Sequence, residues 1–208
     1  MAHIPDGVLS APVLIGGAVL AVGGLALGLR RLDEAAIPRT AILAAVFFVA
    51  SLVAVPVGPS SIHLLLAGLM AIVLGLAAIP AVFVGLLLQA VLFGFGGLTS
   101  LGVDLVDIAF PAVILAALAR PLMARARGWH RAVLAGTIAA LAVGGTAAAV
   151  TLALALSSAD YLPSLRVVAL TYLPLALVEA LVTGFAVSFL ARVKPEVLGL
   201  PVAEGDPA

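Results

Sequence analysis

The sequence predicts an all-α integral membrane protein: about seven transmembrane helices in a tight bundle rich in Gly and Ala. Three observations carry this. Of the 208 residues 64% are hydrophobic and only 10% charged, whereas soluble domains are about half apolar and a quarter charged. The apolar residues fall into seven runs: 8–29, 40–57, 62–78, 80–98, 105–120, 131–157 and 169–192. Most of these match the roughly 17–25 residues that cross a bilayer. Basic residues, finally, are confined to a few junctions between the runs.

Within lipid every backbone polar group must be paired, so each run is expected to be helical throughout. The first begins after Met-Ala-His-Ile-Pro-Asp-Gly, which holds no Lys or Arg. A secretory signal places positive charge ahead of its apolar stretch. The N-terminus is therefore expected to be retained, with or without Met1. Pro56, Gly58 and Pro59 break the second run from the third, and Pro80 marks the turn between third and fourth. Gly94, Gly96, Gly97 and Gly102 form a glycine-rich break after the fourth. Alanine-rich stretches such as 139–149 suit close helix approach, where lipid supplies no hydrophobic drive. Residues 1–192 read as one transmembrane domain and 193–208 as a short polar tail. No internal repeat supports an inverted-repeat transporter plan.

Orientation follows from the basic residues. Arg30, Arg31, Arg39, Arg120, Arg125, Arg127, Arg131, Arg192 and Lys194 fall on one side if there are seven spans; Arg166 alone falls on the other. Seven spans place the N-terminus outside and the C-terminus in the cytoplasm. Net charge is zero, which offers nothing to nucleic acid. The chain has no cysteine, so disulfides, thiolate metal sites and Cys nucleophiles are excluded. It has no G-x-x-x-x-G-K-[ST] loop and no H-E-x-x-H or G-x-S-x-G motif. Enzymatic chemistry and ATP hydrolysis are not expected.

Three histidines remain as candidates for chemistry. His130, between Arg127 and Arg131, reads as a solvated residue. His3 and His63 share the expected outer side. A lone histidine at a helix start ordinarily caps or hydrogen-bonds, but a histidine beside a terminal amine has a further option. Once Met1 is lost, the Ala2 amine, the His3 amide nitrogen and the His3 ring close two fused chelate rings. His63 is the available fourth nitrogen. Four planar nitrogens suit Ni(II) or Cu(II). If Met1 is kept, the amine, two amides and the His3 ring already supply four donors, and His63 is surplus. Polar residues inside membrane runs are costly and tend to be functional. Gln89 and Glu179 are such residues, with helix-to-helix hydrogen bonding as the plain alternative. Asp104 and Asp107 follow the glycine-rich break in the expected outer loop, where they attract cations or start the fifth helix. The helix-start role is favoured for Asp107, because an acid suits the positive end of the dipole.

Four stretches resemble one family in order along nearly the whole chain. They are HIPDGVLS at 3–10, SSIHLLLAGLM at 60–70, LLLQAVLFGFGGLTSLGVD at 86–104 and LVEALVTGFAVSFLARVKPEVL at 177–198. They resemble the CbiM/NikM proteins, the substrate-binding (S) components of energy-coupling factor transporters for cobalt and nickel. The resemblance implies a seven-helix bundle whose outward N-terminus, residues 1–7, folds into the metal pocket. It implies metal ligands at Ala2, His3 and His63; Gln89, Asp104 and Glu179, as polar residues in or beside the membrane runs, are the candidates to surround them. It also implies a transmembrane coupling subunit, cytoplasmic ATPases, and the small accessory membrane subunit found with several relatives. The setting is the multi-pass plasma membrane of a prokaryote, with Ni(II) or Co(II) as cargo and no cofactor.

The family commonly starts Met-His, so Ala2 takes the amine position only after loss of Met1. Phe95 stands where GHGG places a histidine, and Asp104 where asparagine is frequent. The HIPDG form resembles nickel members more than the acidic Met-Glu-Gly start of cobalt members. Two other classes compete: a self-sufficient metal carrier or channel, which calls for acids through several helices, and a membrane scaffold with incidental histidines.

Overall fold

The computed structural model describes residues 4–53, 55–57 and 60–199. Among them are seven α-helices: α1 (Ala11–Leu29), α2 (Ile37–Leu52), α3 (Ala67–Leu74), α4 (Ala78–Phe93), α5 (Leu101–Arg125), α6 (Gly128–Ser157) and α7 (Leu165–Val193). Five stretches are long and apolar enough to cross a membrane: α1, residues 67–93, α5, α6 and 170–193. Helix α2 is apolar but shorter, at 16 residues.

The second and third runs depart from the expectation of continuous helix. Helix α2 stops at Leu52, and two short strands, β1 (Val55–Val57) and β2 (Ser60–Ile62), form an antiparallel hairpin pairing Val55 with Ile62. Pro56 and Pro59 cannot donate an amide to a helix, so the backbone pairs across a turn instead. Helix α3 then starts only at Ala67 and has eight residues. It rises about 12 Å, less than half of the roughly 30 Å hydrocarbon core.

The break between α3 and α4 also lies elsewhere than at Pro80. Gly75 has φ 58° and ψ −128°, a conformation side-chain-bearing residues rarely adopt, and a 3-10 turn Gly75–Ala77 follows. Pro80 sits in the first turn of α4, where helix amides lack intrahelical partners, so its missing N–H costs nothing. Helix α3 packs on α5 and α6, whereas α4 packs on α2 and α5. Helix α5 begins four residues earlier than the expected 105 and runs through Pro111 and Pro121, as membrane helices tolerate.

Small residues line the helix contacts beside a buried apolar core that includes Phe47, Met70, Leu86, Leu105 and Ile108, and many large apolar side chains also face outward. Helix α1 buries Gly17, Ala21, Gly24 and Gly28, while Ile15, Val19, Leu118, Leu156, Leu181 and Phe185 are exposed. This suits a lipid solvent, in which exposure of Leu or Phe is not penalised. Backbones meet at the small residues. A Cβ placed on Gly68 would lie 2.6 Å from the Ala139 Cα, and one on Gly136 2.6 Å from the Ala180 carbonyl oxygen. The buried hydroxyls of Thr40 and Thr146 donate to carbonyls one turn back, at 2.8 and 3.1 Å.

These contacts give a test of the packing. Gly136→Ala drives a methyl into the α7 backbone and is expected to destabilise the chain by about 1–3 kcal/mol. Gly144→Ala, with open space around it, is expected to be neutral or stabilising through helix propensity. Thermal unfolding of the two variants in detergent measures this; equal midpoints would refute the close α6–α7 approach.

Candidate functional site

Residues 4–10 are stitched onto the glycine-rich loop and the start of α5. The Ile4 amide donates to Asp104 Oδ1 at 2.9 Å, and the Ser100 hydroxyl donates to the Ile4 carbonyl at 2.5 Å. Asp6 accepts from the Leu98 amide at 3.2 Å, the Thr99 amide at 2.9 Å and the Thr99 hydroxyl. The Ser10 amide donates to Ser157 Oγ at 3.1 Å and the Tyr161 hydroxyl to the Val8 carbonyl at 3.3 Å. Ile4 and Leu9 are buried with Val103, Val150 and Ala153. A Cβ on Gly97 would collide with the Asp6 carboxylate, so the glycine there admits the clasp. The other end of the loop is closed by Gly94, at φ 65°, and by the Phe95 amide donating to the Gln89 carbonyl at 3.2 Å.

Asp104 and Asp107 lie in α5 rather than in a loop. Asp104 is in the first turn and binds Ile4 across the bundle. Asp107 is one turn further on and buried, so the helix-start role expected for it falls to Asp104 instead.

His63 is buried in the extended stretch between β2 and α3, four residues before the helix rather than at its start. Its Nδ1 lies 3.3 Å from the Leu64 carbonyl. The stretch is held by Glu179, whose Oε1 accepts from the amides of both Leu65 and Leu66, the latter at 2.8 Å. Leu66 has φ 49°, a left-handed conformation costly for a side-chain-bearing residue. Glu179 lies at the midpoint of α7, so the His63 segment enters the bundle to mid-depth. Non-helical backbone at that depth persists only where protein satisfies it, and Glu179 does so.

Further polar groups cluster around these two anchors. Gln89, Glu179 and Thr183 are fully buried, and Asp107 and Tyr172 nearly so. Both ends of the Gln89 amide, Asp107 Oδ2, the Tyr172 hydroxyl, Glu179 Oε2 and Thr183 Oγ1 have no hydrogen-bond partner among the described residues. Tyr172 lies about 10 Å along α7 from Glu179. Buried orphan polar atoms cost free energy, which marks this interior for something other than packing.

Of the residues expected to form the site, Ala2 and His3 lie outside the described residues. Gln89, Asp104 and Glu179 are all buried; Asp104 binds the Ile4 amide and Glu179 the amides of Leu65 and Leu66, while the Gln89 side chain has no hydrogen-bond partner among the described residues. Among the described residues, no group of three or more His, Asp or Glu side chains could hold a metal ion by itself. His130 is exposed against Trp129, ring centroids 4.5 Å apart, in agreement with a solvated role. Sequence reasoning missed Asp6, Thr99 and Ser100 as a clasp, together with Tyr172 and Thr183. Asp6 offered the one usable signal, being the sole acid in the charge-poor start.

The apolar bundle, its small-residue seams and its buried polar interior define an integral, multi-pass membrane protein of transport type. The chain belongs to the CbiM family: the model for the cobalt uptake substrate-specific transmembrane region matches residues 3–197. A Haemophilus influenzae chain, provisionally named a metal transport protein, is 39% identical, with 94% of this chain and 96% of that one covered. The fused nickel transport protein NikMN of Rhodobacter capsulatus is 33% identical over 94% of this chain and 63% of its own length. The cobalt transport protein CbiM of Sorangium cellulosum is 32% identical, with 94% of each chain covered. Crystal structures of a transition metal transporter and of a truncated one each superpose with a TM-score of 0.79. They are 26% and 25% identical and cover 92% and 91% of this chain. The family is one of metal transport components, not of enzymes.

Two predictions follow from the geometry. Glu179→Ala orphans the Leu65 and Leu66 amides and is expected to cost about 1–3 kcal/mol for each unsatisfied donor. Amide exchange at residues 64–67 should accelerate more than elsewhere; uniform acceleration would contradict the local role. The second concerns pH. The Thr99 hydroxyl, followed by its amide, holds the Asp6 carboxyl below its ordinary 3.8. A lowered carboxyl contributes stability above its unfolded value and loses it as pH falls through its folded value. The Thr99 amide should therefore stay protected from pH 7 down to 3.8, and open only below that. Opening near pH 5 would refute the clasp.

Proposed function

We propose that this chain is the substrate-capturing subunit of an ATP-driven energy-coupling factor uptake transporter for divalent nickel, with cobalt as the second ion. The metal is captured by the Ala2 amine, the His3 amide and ring, and the His63 imidazole, after loss of Met1. The single observation that carries this is the clasp at Ile4. The residue that follows His3 in the chain is bound through both its amide and its carbonyl to Asp104 and Ser100, while Glu179 fixes the backbone beside His63. A site assembled from two chain segments needs both fixed, because a loose donor adds ordering entropy to every binding event.

In this reading the chain crosses a prokaryotic plasma membrane seven times, with α3 as a short pass. The N-terminus is outside, the metal-capturing segment is residues 1–7, and 193–208 is a cytoplasmic tail. The partners are a transmembrane coupling subunit and cytoplasmic ATPases, with a small accessory membrane subunit as well. The basic loop Arg120–Arg131 belongs to the partner face. The chain has no P-loop and therefore draws energy from those partners. Nickel is placed first on the His-Ile-Pro-Asp-Gly start; cobalt is kept because relatives are named for both metals.

The test is calorimetric binding of Ni(II) and Co(II) to chain whose mature N-terminus has been verified by mass. Acetylation of the Ala2 amine and His63→Ala should each abolish tight binding, whereas His130→Ala should bind as the parent does. Equal metal content in His63→Ala and His130→Ala would refute the ligand assignment. Uphill uptake by the chain alone in vesicles would favour a self-sufficient carrier.

A further inference from the structure

At the end of the bundle away from the clasp, a cavity of about 630 Å³ opens among the helix ends. Four arginines line it from separate places in the chain: Arg31 after α1, Arg39 in α2, Arg120 in α5 and Arg131 in α6. Among the described residues Glu196 is the one acid in the lining, and the end of α3 with the turn after it, from Ala71 to Leu76, forms an apolar wall. Among the described residues, none of the four guanidiniums makes an ion pair or a side-chain hydrogen bond, and Arg131 Nε is buried without an acceptor. Among the described residues four cations thus face one acid, an excess of positive charge beside an apolar wall. Beside them in the chain Leu29, Ile37 and Leu122 are exposed large apolar side chains, of the kind a bilayer would cover.

We propose that this cavity is a binding site for the phosphate headgroup of an anionic phospholipid, whose acyl chains leave over the exposed Leu29, Ile37 and Leu122. Guanidinium forks pair bidentately with phosphate oxygens. Basic pockets between transmembrane helices are suited to anionic headgroups. An acidic protein segment would satisfy the arginines but would set polar backbone against the apolar α3 wall; a phospholipid satisfies both. Two arginines of the basic loop, Arg120 and Arg131, thereby face a lipid, leaving the exposed Arg125 and Arg127 to other contacts. The bound headgroup would tie together the ends of α1, α2, α5 and α6.

The experiment is native mass spectrometry of the full chain, delipidated in detergent and offered phosphatidylglycerol, phosphatidylcholine, inorganic phosphate or an acidic peptide. Phosphatidylglycerol should be retained in preference to phosphatidylcholine, and retention should fall about fivefold for each cavity arginine removed. Arg120→Gln with Arg131→Gln tests this, and the single Arg39→Gln serves if the double variant fails to fold. Arg125→Gln with Arg127→Gln should retain lipid as the parent does. Equal loss in that control would reduce the effect to diffuse surface attraction and overturn the proposal. Displacement of the lipid by inorganic phosphate at equal concentration would mean a free-anion site and overturn it too. So would displacement by an acidic peptide, which would return the cavity to a protein partner.

Discussion

A single carboxyl oxygen, Glu179 Oε1, receives the amides of Leu65 and Leu66 from more than a hundred residues away. The first turn of any helix leaves amides without intrahelical partners, and in the interior of a membrane bundle no water supplies the acceptor. Helix α3 begins at such a place. Glu179 supplies the acceptor for the Leu65 and Leu66 amides, immediately before the first turn of α3. The rest of the arrangement depends on this. Because α3 can begin halfway, the hairpin Val55–Ile62 and the stretch carrying His63 can enter the bundle.

The packing around this point follows from the same solvent. Lipid does not drive apolar side chains inward, so Gly68 against Ala139 and Gly136 against Ala180 bring backbones together instead. Alongside the apolar core the bundle buries Gln89, Asp107, Tyr172, Glu179 and Thr183, several of whose polar atoms are orphaned among the described residues. In a soluble core such a set would weaken the fold; here it borders both stretches that the proposed site needs.

The two ends of the bundle differ in chemistry. One carries the clasp of Asp6, Thr99, Ser100 and Asp104 on residues 4–10; the other gathers Arg31, Arg39, Arg120 and Arg131. Helix α5 spans both, with Asp104 in its first turn and Arg125 in its last. Acid near the N-terminus and base near the C-terminus also complement the dipole of that helix, so its charges serve direction as well as contact.

The amino-acid sequence by itself determined the class of protein, the approximate position of each apolar run, the family, and the residues worth testing. These follow from composition, local hydrophobicity and short motifs, each readable from neighbours in the chain. It did not reveal that α3 is a half-length helix, because an apolar stretch reads alike as helix or as buried extended chain. Nor did it show that the turn belongs to Gly75 rather than Pro80: both residues break helices, and only tertiary packing selects between them. The partners of Glu179 and Asp104 were equally hidden. A carboxyl in an apolar run announces that it needs donors, but the donors are the amides of Leu65, Leu66 and Ile4, and amides carry no side-chain signature. Those pairings were decided by the tertiary structure, which alone brings residues about a hundred positions apart to within hydrogen-bond distance.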